Sequence, residues 1–218
     1  MMNKLVSVKD AINHIKDGMT IMIGGFLGVG TPESLVDALI EKGVKDLTII
    51  CNDTAFPEVG IGKLIVKKMV KKVITSHIGT NPETGRQYNE KELEVELVPQ
   101  GTLAERIRCM GAGLGGFLTP TGIGTIVEEG KEKITVEGRK YILELPLKAD
   151  VALIKGEKID KKGNIYYDKA ARNFNPLMAM AADVVIAEAE EIVEIGEIDP
   201  NDVMTPGIFI DMIVKGDK

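Results

Sequence analysis

The sixteen residues from Asp17 to Pro32, Asp-Gly-Met-Thr-Ile-Met-Ile-Gly-Gly-Phe-Leu-Gly-Val-Gly-Thr-Pro, constrain the fold more than any other stretch of the chain. The apolar run 19–23 has the length of one buried strand. Gly24, Gly25, Gly28 and Gly30 then remove four side chains where that strand must end. Thr31 is a candidate helix cap, and Pro32 suits a first helical position, where no backbone N–H is needed. Strand, glycine loop and helix start thus follow one another directly. Such a loop is expected to offer bare N–H groups beside the positive end of a helix, a setting that suits a phosphate or a developing oxyanion. On this reading a Gly25→Val change leaves the fold largely intact and blocks approach to those groups.

The same pattern recurs along the chain. Ser7 is a candidate cap for a short helix that ends at Gly18. A helix is expected over 31–42, stopped by Gly43, and strands over 47–51, 70–76 and 93–98. Thr102-Leu-Ala-Glu105 has the form of a capping box for a helix reaching about Met110. A strand over 150–154, a helix from Asn175-Pro176 and a strand over 183–187 follow. Short apolar strands alternating with capped helices predict βαβ units and a mostly parallel sheet. Residues 133–136 and 141–145, joined around Glu137-Gly138-Arg139, read instead as an antiparallel hairpin. With no internal repeat and no linker, residues 1–218 read as a single α/β domain.

Composition narrows the function classes. The chain has 218 residues, 44% of them hydrophobic, enough for one well-buried domain. Its net charge is −6, only 4% of residues are aromatic, and there is no Trp. A nucleic-acid binder would show a basic surface with stacking aromatics, so no nucleic-acid partner is expected. The densest basic cluster, Lys67-Lys68 with Lys71-Lys72, reads as a solvated helix end. No apolar run approaches the ~18–20 residues of a membrane span. The first residues lack a signal-peptide core, so a soluble, cytoplasmic protein with no membrane partner is expected. Cys51 and Cys109 are too few for a disulfide framework and read as small buried residues. No His/Cys/Asp group has metal-ligand spacing, and no metal is expected.

The glycines of loop 24–30 fit neither a dinucleotide fingerprint nor a P-loop. Gly111-Ala-Gly113-Leu-Gly115-Gly116 has the Gly-x-Gly-x-x-Gly spacing but follows a helix, so tight turns and close packing explain it more simply. Polar residues fall where open α/β sheets bind ligands, just past strand ends. They are Asn52-Asp53-Thr54 after one strand, His77 and Asn81 after the next, and Gln100 after 93–98. A carboxamide such as Gln100 or Asn52 can donate to a carbonyl oxygen as charge builds on it. Asn and Asp also commonly satisfy loop backbone. His14 reads as structural, and His77 has no Ser or Cys nucleophile at a matching strand end. The acidic run Glu188-Ala-Glu190-Glu191 reads as a solvated turn or helix. No carboxylate of the chain stands out as a nucleophile.

Taken together these residues resemble a family. Asp17-Gly18, the apolar run and Gly24-Gly25-Phe26-x-x-x-Gly30-x-Pro32 resemble the first signature of the class I coenzyme A transferases. Asn52-Asp53-Thr54, Ser76-His-Ile-Gly-Thr-Asn81, Pro99-Gln100-Gly101-Thr102-Leu103-Ala-Glu105-Arg106, Gly113-x-Gly115-Gly116-Phe117 with Thr119-Pro-Thr-Gly122, and Ala171-Arg172-Asn173-Phe174-Asn175-Pro176 are similar to the first half of that family. The likeness runs from about Asp17 to Gly207 and is nearest to α (A) subunits of the bacterial short-chain acyl-CoA:acetate/acetoacetate type. It implies a three-layer α/β/α fold shared with glucosamine-6-phosphate deaminase and ribose-5-phosphate isomerase.

The chemistry implied is a covalent exchange. A glutamate attacks the acyl-CoA thioester to give a mixed anhydride and free thiolate. The thiolate attacks the anhydride to make a glutamyl-CoA thioester and release the first acid, and an incoming acid (acetate, butyrate or acetoacetate) reverses the steps. In this family the nucleophile lies in a Ser-Glu-Asn-Gly motif of the second half or β subunit, and this sequence has no such motif. The resemblance therefore implies a chain inactive alone, with no nucleophile of its own, completed by a β subunit in an α2β2 heterotetramer. It implies that Gly24, Gly25, Phe26, Leu27, Gly28, Val29 and Gly30 line the coenzyme A site, and that Gln100 and Asn52 face the reacting acyl group. No cofactor is implied beyond the coenzyme A thioester, which is substrate. Two other readings stay open here, a sugar-phosphate isomerase of the same fold and a non-catalytic coenzyme A-binding or regulatory subunit.

Overall fold

The computed structural model describes residues 4–217. The apolar runs do become strands, and they alternate with helices as β1 (Thr20–Ile23), α2 (Glu33–Lys42), β2 (Leu47–Ile50), α3 (Ile61–Val66), β3 (Val70–Thr75), α4 (Pro82–Asn89), β4 (Glu94–Leu97) and α5 (Gln100–Gly111). A short α1 (Val8–Ile12), capped by Ser7, precedes them. An excursion follows with β5 (Phe117–Thr119), β6 (Lys133–Val136) and β7 (Arg139–Glu144). The chain then returns through β8 (Ala149–Asp160), β9 (Ile165–Tyr166), α6 (Asn175–Met178), β10 (Ala182–Val193) and β11 (Met212–Lys215).

The main sheet has the order β11-β10-β8-β1-β2-β3-β4, all parallel, with β9 antiparallel on β8. Strand alternation divides its side chains between two cores. Ile21, Ile23, Ile49, Val73, Leu153 and Ile186 pack with α1, α2 and α3 on one face. Met22, Ile50, Ile74, Ala152, Ile154 and Val185 pack with α5 and α6 on the other. Buried on both faces, the strands read as continuous apolar runs, as a parallel sheet requires. The result is the expected mostly parallel α/β sheet between helical layers. The hairpin β6–β7 also forms, and β5 extends it to a separate three-stranded antiparallel sheet.

The differences are local. Helix α2 begins at Glu33, with Pro32 rather than Thr31 in the capping position and no local side chain on its first N–H groups. Helix α5 begins at Gln100, so Thr102 and Glu105 lie inside it rather than forming a capping box. Helix α4 was not expected, and α3 only through its basic end at Lys67-Lys68. The acidic run is neither turn nor helix but part of β10, with Glu188 buried. Cys51 and Cys109 are both free and fully buried, as expected, and burial pushes the Cys51 thiol up. Among the described residues no helix is long and apolar enough to cross a membrane.

Candidate functional site

Strand order reverses between β1 and β8, and there an open parallel sheet ordinarily leaves a crevice for a ligand. In this chain the crevice is plugged from within. The buried Asn175 side chain fills it, its Oδ1 accepting from Lys155 N (3.1 Å) and its Nδ2 donating to Gly30 O (3.0 Å) and Ala171 O (2.9 Å). A Cβ on Gly24 would stand 1.9 Å from that Oδ1, so glycine here admits a neighbouring amide. Asn173 grips the same loop, accepting from Gly25 N (3.2 Å) and donating to Val29 O (2.9 Å).

Loop 24–30 is itself a minute hairpin. Phe26 and Val29 exchange reciprocal backbone hydrogen bonds of 3.0 and 2.9 Å, and Leu27 and Gly28 between them both have positive φ, +49° and +90°. That is the pattern of a two-residue type I′ turn. Leu27 N–H goes to Asp53, and Gly24 N–H to Leu153 O. Only the Gly28 and Gly30 N–H groups have no partner among the described residues. The expected row of bare donors is therefore corrected, because the loop spends most of them on its own chain. A Cβ on Gly25 would stand 2.0 Å from Thr31 Oγ1 at a φ of +129°, so Gly25→Val meets packing and backbone strain as well as the loop N–H groups. What the loop turns outward is apolar: Phe26 and Val29 are 42% and 53% exposed.

The positive end of α2 is also taken. Glu188, arriving from β10, accepts from Leu35 N at 3.1 Å and from Ser34 N. Burial holds its carboxyl above the usual carboxylate range, although those N–H groups and Lys155 oppose the shift. An anion does dock at this helix, and it is the protein's own. A single acid inside the apolar run Val184-Val-Ile-Ala-Glu188-Ala was the one local sign of it.

The open ground lies past β2, β3 and β4. Gln100 Nε2 donates to Asn52 Oδ1 at 2.7 Å, so the structure brings the two expected carboxamides together. Asn52 is buried and Gln100 exposed. Ser76, not singled out from sequence, donates through its hydroxyl to Asn52 O (2.7 Å) and Oδ1 (3.2 Å). Asn52 Nδ2 donates to Asp53 Oδ2 at 2.6 Å. Gln100 opens α5, whose first turn has no side-chain cap; the first helical bond runs from Leu103 N–H to Pro99 O, 2.8 Å. The preceding N–H groups of Gln100, Gly101 and Thr102, and the Gln100 side-chain oxygen Oε1, have no partner among the described residues. An exposed carboxamide on an uncapped 12-residue helix can stabilise negative charge on a bound carbonyl oxygen.

Two other candidates belong to the scaffold. Asn81 is the buried cap of α4, accepting from Glu83 N (3.1 Å) and donating to Thr54 O (3.1 Å). His77 is exposed and meets Asp53 only through a backbone bridge. A cavity of about 1080 Å³ lies against α1, α2 and Lys63 on the opposite side of the sheet from α5, and neither Asn52 nor Gln100 lines it. Exposed Phe56 follows Asn52 in the chain, and the amide pair is tied through Asp53 to the loop that exposes Phe26 and Val29. Among the described residues no group of three His, Cys, Asp or Glu could hold a metal ion.

Comparison with known proteins was made on this frame. The family model for coenzyme A transferase matches residues 5–216. The acetate CoA-transferase subunit alpha of Escherichia coli K12 is 59% identical over 214 residues, 98% of this chain and 97% of that one. The acetoacetyl-CoA:acetate/butyrate CoA transferase alpha subunit of Clostridium acetobutylicum is 55% identical over 215 residues, 99% of each. Among solved structures, an acyl-CoA transferase from Escherichia coli O157:H7 superposes with a TM-score of 0.89 at 22% identity. The match takes in 98% of this chain and 47% of that one, so this chain spans about half the length of that protein. Glutaconate coenzyme A-transferase from Acidaminococcus fermentans gives 0.86 at 21%, over 97% of this chain and 75% of that one. At such identities the structures speak for the fold alone.

Proposed function

This chain belongs to the coenzyme A transferase family, and from that premise we infer that it is the α subunit of an enzyme moving coenzyme A between a short-chain acyl-CoA and a free carboxylate. The relatives are named as transferase α subunits, which implies a β subunit and lends nothing to the isomerase or regulatory readings. The observation that carries the mechanism is the Asn52–Gln100 pair, with Gln100 exposed at the uncapped end of α5.

The thioester carbonyl oxygen is taken up by the remaining Gln100 amide hydrogen, with the α5 dipole behind it. Asn52 holds that amide in place. The attacking glutamate comes from the β subunit, docked over Phe26, Val29 and Phe56, whose apolar faces also keep water from the anhydride. A carboxylate is a weak nucleophile, so placement and oxyanion stabilisation supply most of the acceleration. Loop 24–30 lines the coenzyme A site with its outer face rather than with its N–H groups. No resident cofactor is needed, because the coenzyme A thioester enters as substrate. We further propose an α2β2 assembly, cytoplasmic, with acetate, butyrate and acetoacetate as the class of acids.

The test is to mix the chain with its β subunit and acyl-CoA and trap the intermediate with borohydride. A reduced glutamate on the β chain is expected. Turnover by this chain alone, or a modified glutamate on it, would refute the division of labour.

A further inference from the structure

Among the described residues Asp53 is the one carboxylate buried beside the amide pair, and the transfer chemistry as described gives it no task. Three donors converge on it. Oδ1 accepts from Ala55 N at 2.8 Å and Leu27 N at 3.2 Å. Oδ2 accepts from Leu27 N at 3.0 Å and Asn52 Nδ2 at 2.6 Å. Every neighbour at this point is an N–H donor, and a carboxylate offers two oxygens to accept from them. Its position is closed to bulk water, since Asp53 is 4% and Asn52 2% exposed.

The consequence is a fixed orientation carried through two amides. Because Asp53 takes the Asn52 Nδ2, Asn52 Oδ1 must point the other way, where it receives Gln100 Nε2 and the Ser76 hydroxyl. Because Asn52 presents an oxygen, Gln100 turns its nitrogen inward and keeps one N–H hydrogen for a ligand. The same carboxylate holds Leu27 N–H, and so pins the turn whose flanks expose Phe26 and Val29. We propose that Asp53 is a positioning residue, which orients the Asn52–Gln100 pair and ties it to the tip of loop 24–30. The proposal rests on the transferase reading above.

An Asp53→Asn change replaces one acceptor by an NH₂ group while keeping size. That group must then face either the Leu27 and Ala55 N–H groups or the Asn52 amide, donor against donor. The relay is expected to break and Gln100 to lose its fixed orientation. A misplacement on the order of 1 Å at a reacting centre costs about 100-fold.

The experiment uses the α chain reconstituted with its β subunit. Transfer from acetoacetyl-CoA to acetate is followed, together with the ¹⁵N side-chain amide signals of Asn52 and Gln100, assigned from the Gln100→Ala spectrum. Asp53→Asn is expected to lower kcat about 100-fold with KM for the acyl-CoA nearly unchanged, and to shift both amide signals. Unchanged kcat, or a fall in kcat with both signals unmoved, overturns the assignment. Asp53→Ser, whose hydroxyl keeps the Ala55 turn, is carried through the same readouts should the Asn variant fail to fold. If neither folds, Asp53 is an element of stability and the assignment is again overturned. A wild-type complex that transfers no coenzyme A refutes the transferase reading instead, and the amide signals then decide the role of Asp53 alone.

Discussion

Helices α2 and α5 both begin just past parallel strands, both follow a proline in the capping position, and neither has a local side-chain cap. Their first turns meet opposite fates. At α2 the glycine loop is folded into a sealed hairpin, its crevice is filled by Asn175, and the N–H groups of Ser34 and Leu35 are taken by Glu188. At α5 the end stays open, with an exposed carboxamide on it. A glycine-rich loop before a helix is thus not in itself a binding site. What matters is whether the rest of the chain has already satisfied it.

Breaking the sealed end is expected to have the largest effect. Gly24→Ala drives a Cβ to 1.9 Å from an amide oxygen held by its own network. It should cost about 3 kcal/mol or more in urea unfolding, at the upper end of overpacking. A near wild-type midpoint would mean that Asn175 does not plug the crevice. At the open end Gln100→Ala should leave unfolding unchanged and reduce turnover with the β subunit by a factor of about 10 to 1000, as for one lost oxyanion donor. Retained kcat would move the chemistry away from α5. Glu188→Ala should cost about 1–2 kcal/mol, in keeping with a lost helix cap. Smallest of all, Gly101→Ala at the open end meets nothing within 4 Å and should raise stability by less than about 1 kcal/mol. Destabilisation there would show that the first turn of α5 is more crowded than it looks.

The pH dependence of Glu188 sharpens the contrast further. Its pKa in the folded chain is raised above the ordinary 4.5, first because it is buried. The folded state therefore binds the proton more tightly, and the stability linked to it is full below the unfolded value and lost as pH climbs through the raised one. Glu188→Gln cannot titrate, so wild type should lose ground to it as pH rises from 4.5 toward neutrality. Denaturant midpoints for the two chains across that range check this, and a gap that stays constant would remove the titration.

Much of this was legible locally. The strands and the hairpin β6–β7 are set by short apolar runs with turn residues at their ends, and the carboxamides could be placed because they follow those runs directly. Helix α4 was equally open to reading, since Asn81 and Pro82 form a cap and first position, but Asn81 drew attention as a ligand candidate instead. Sequence could not reveal how the donors of loop 24–30 are used. Its partners Asn173 and Asn175 lie 148 and 145 residues from Gly25 and Gly30, and Glu188 lies 153 from Leu35. Saturation by distant side chains leaves no mark on the loop itself.

The two buried thiols have a practical corollary. Cys51 immediately precedes Asn52 and Cys109 lies in the last turn of α5, both with no exposed surface, and burial keeps Cys51 in the unreactive protonated form. Each can meet a maleimide only when its surroundings open. The wild-type chain therefore carries two clocks of local opening, one next to Asn52 and one in the last turn of α5, and their rates with and without the β subunit time how far docking restrains each.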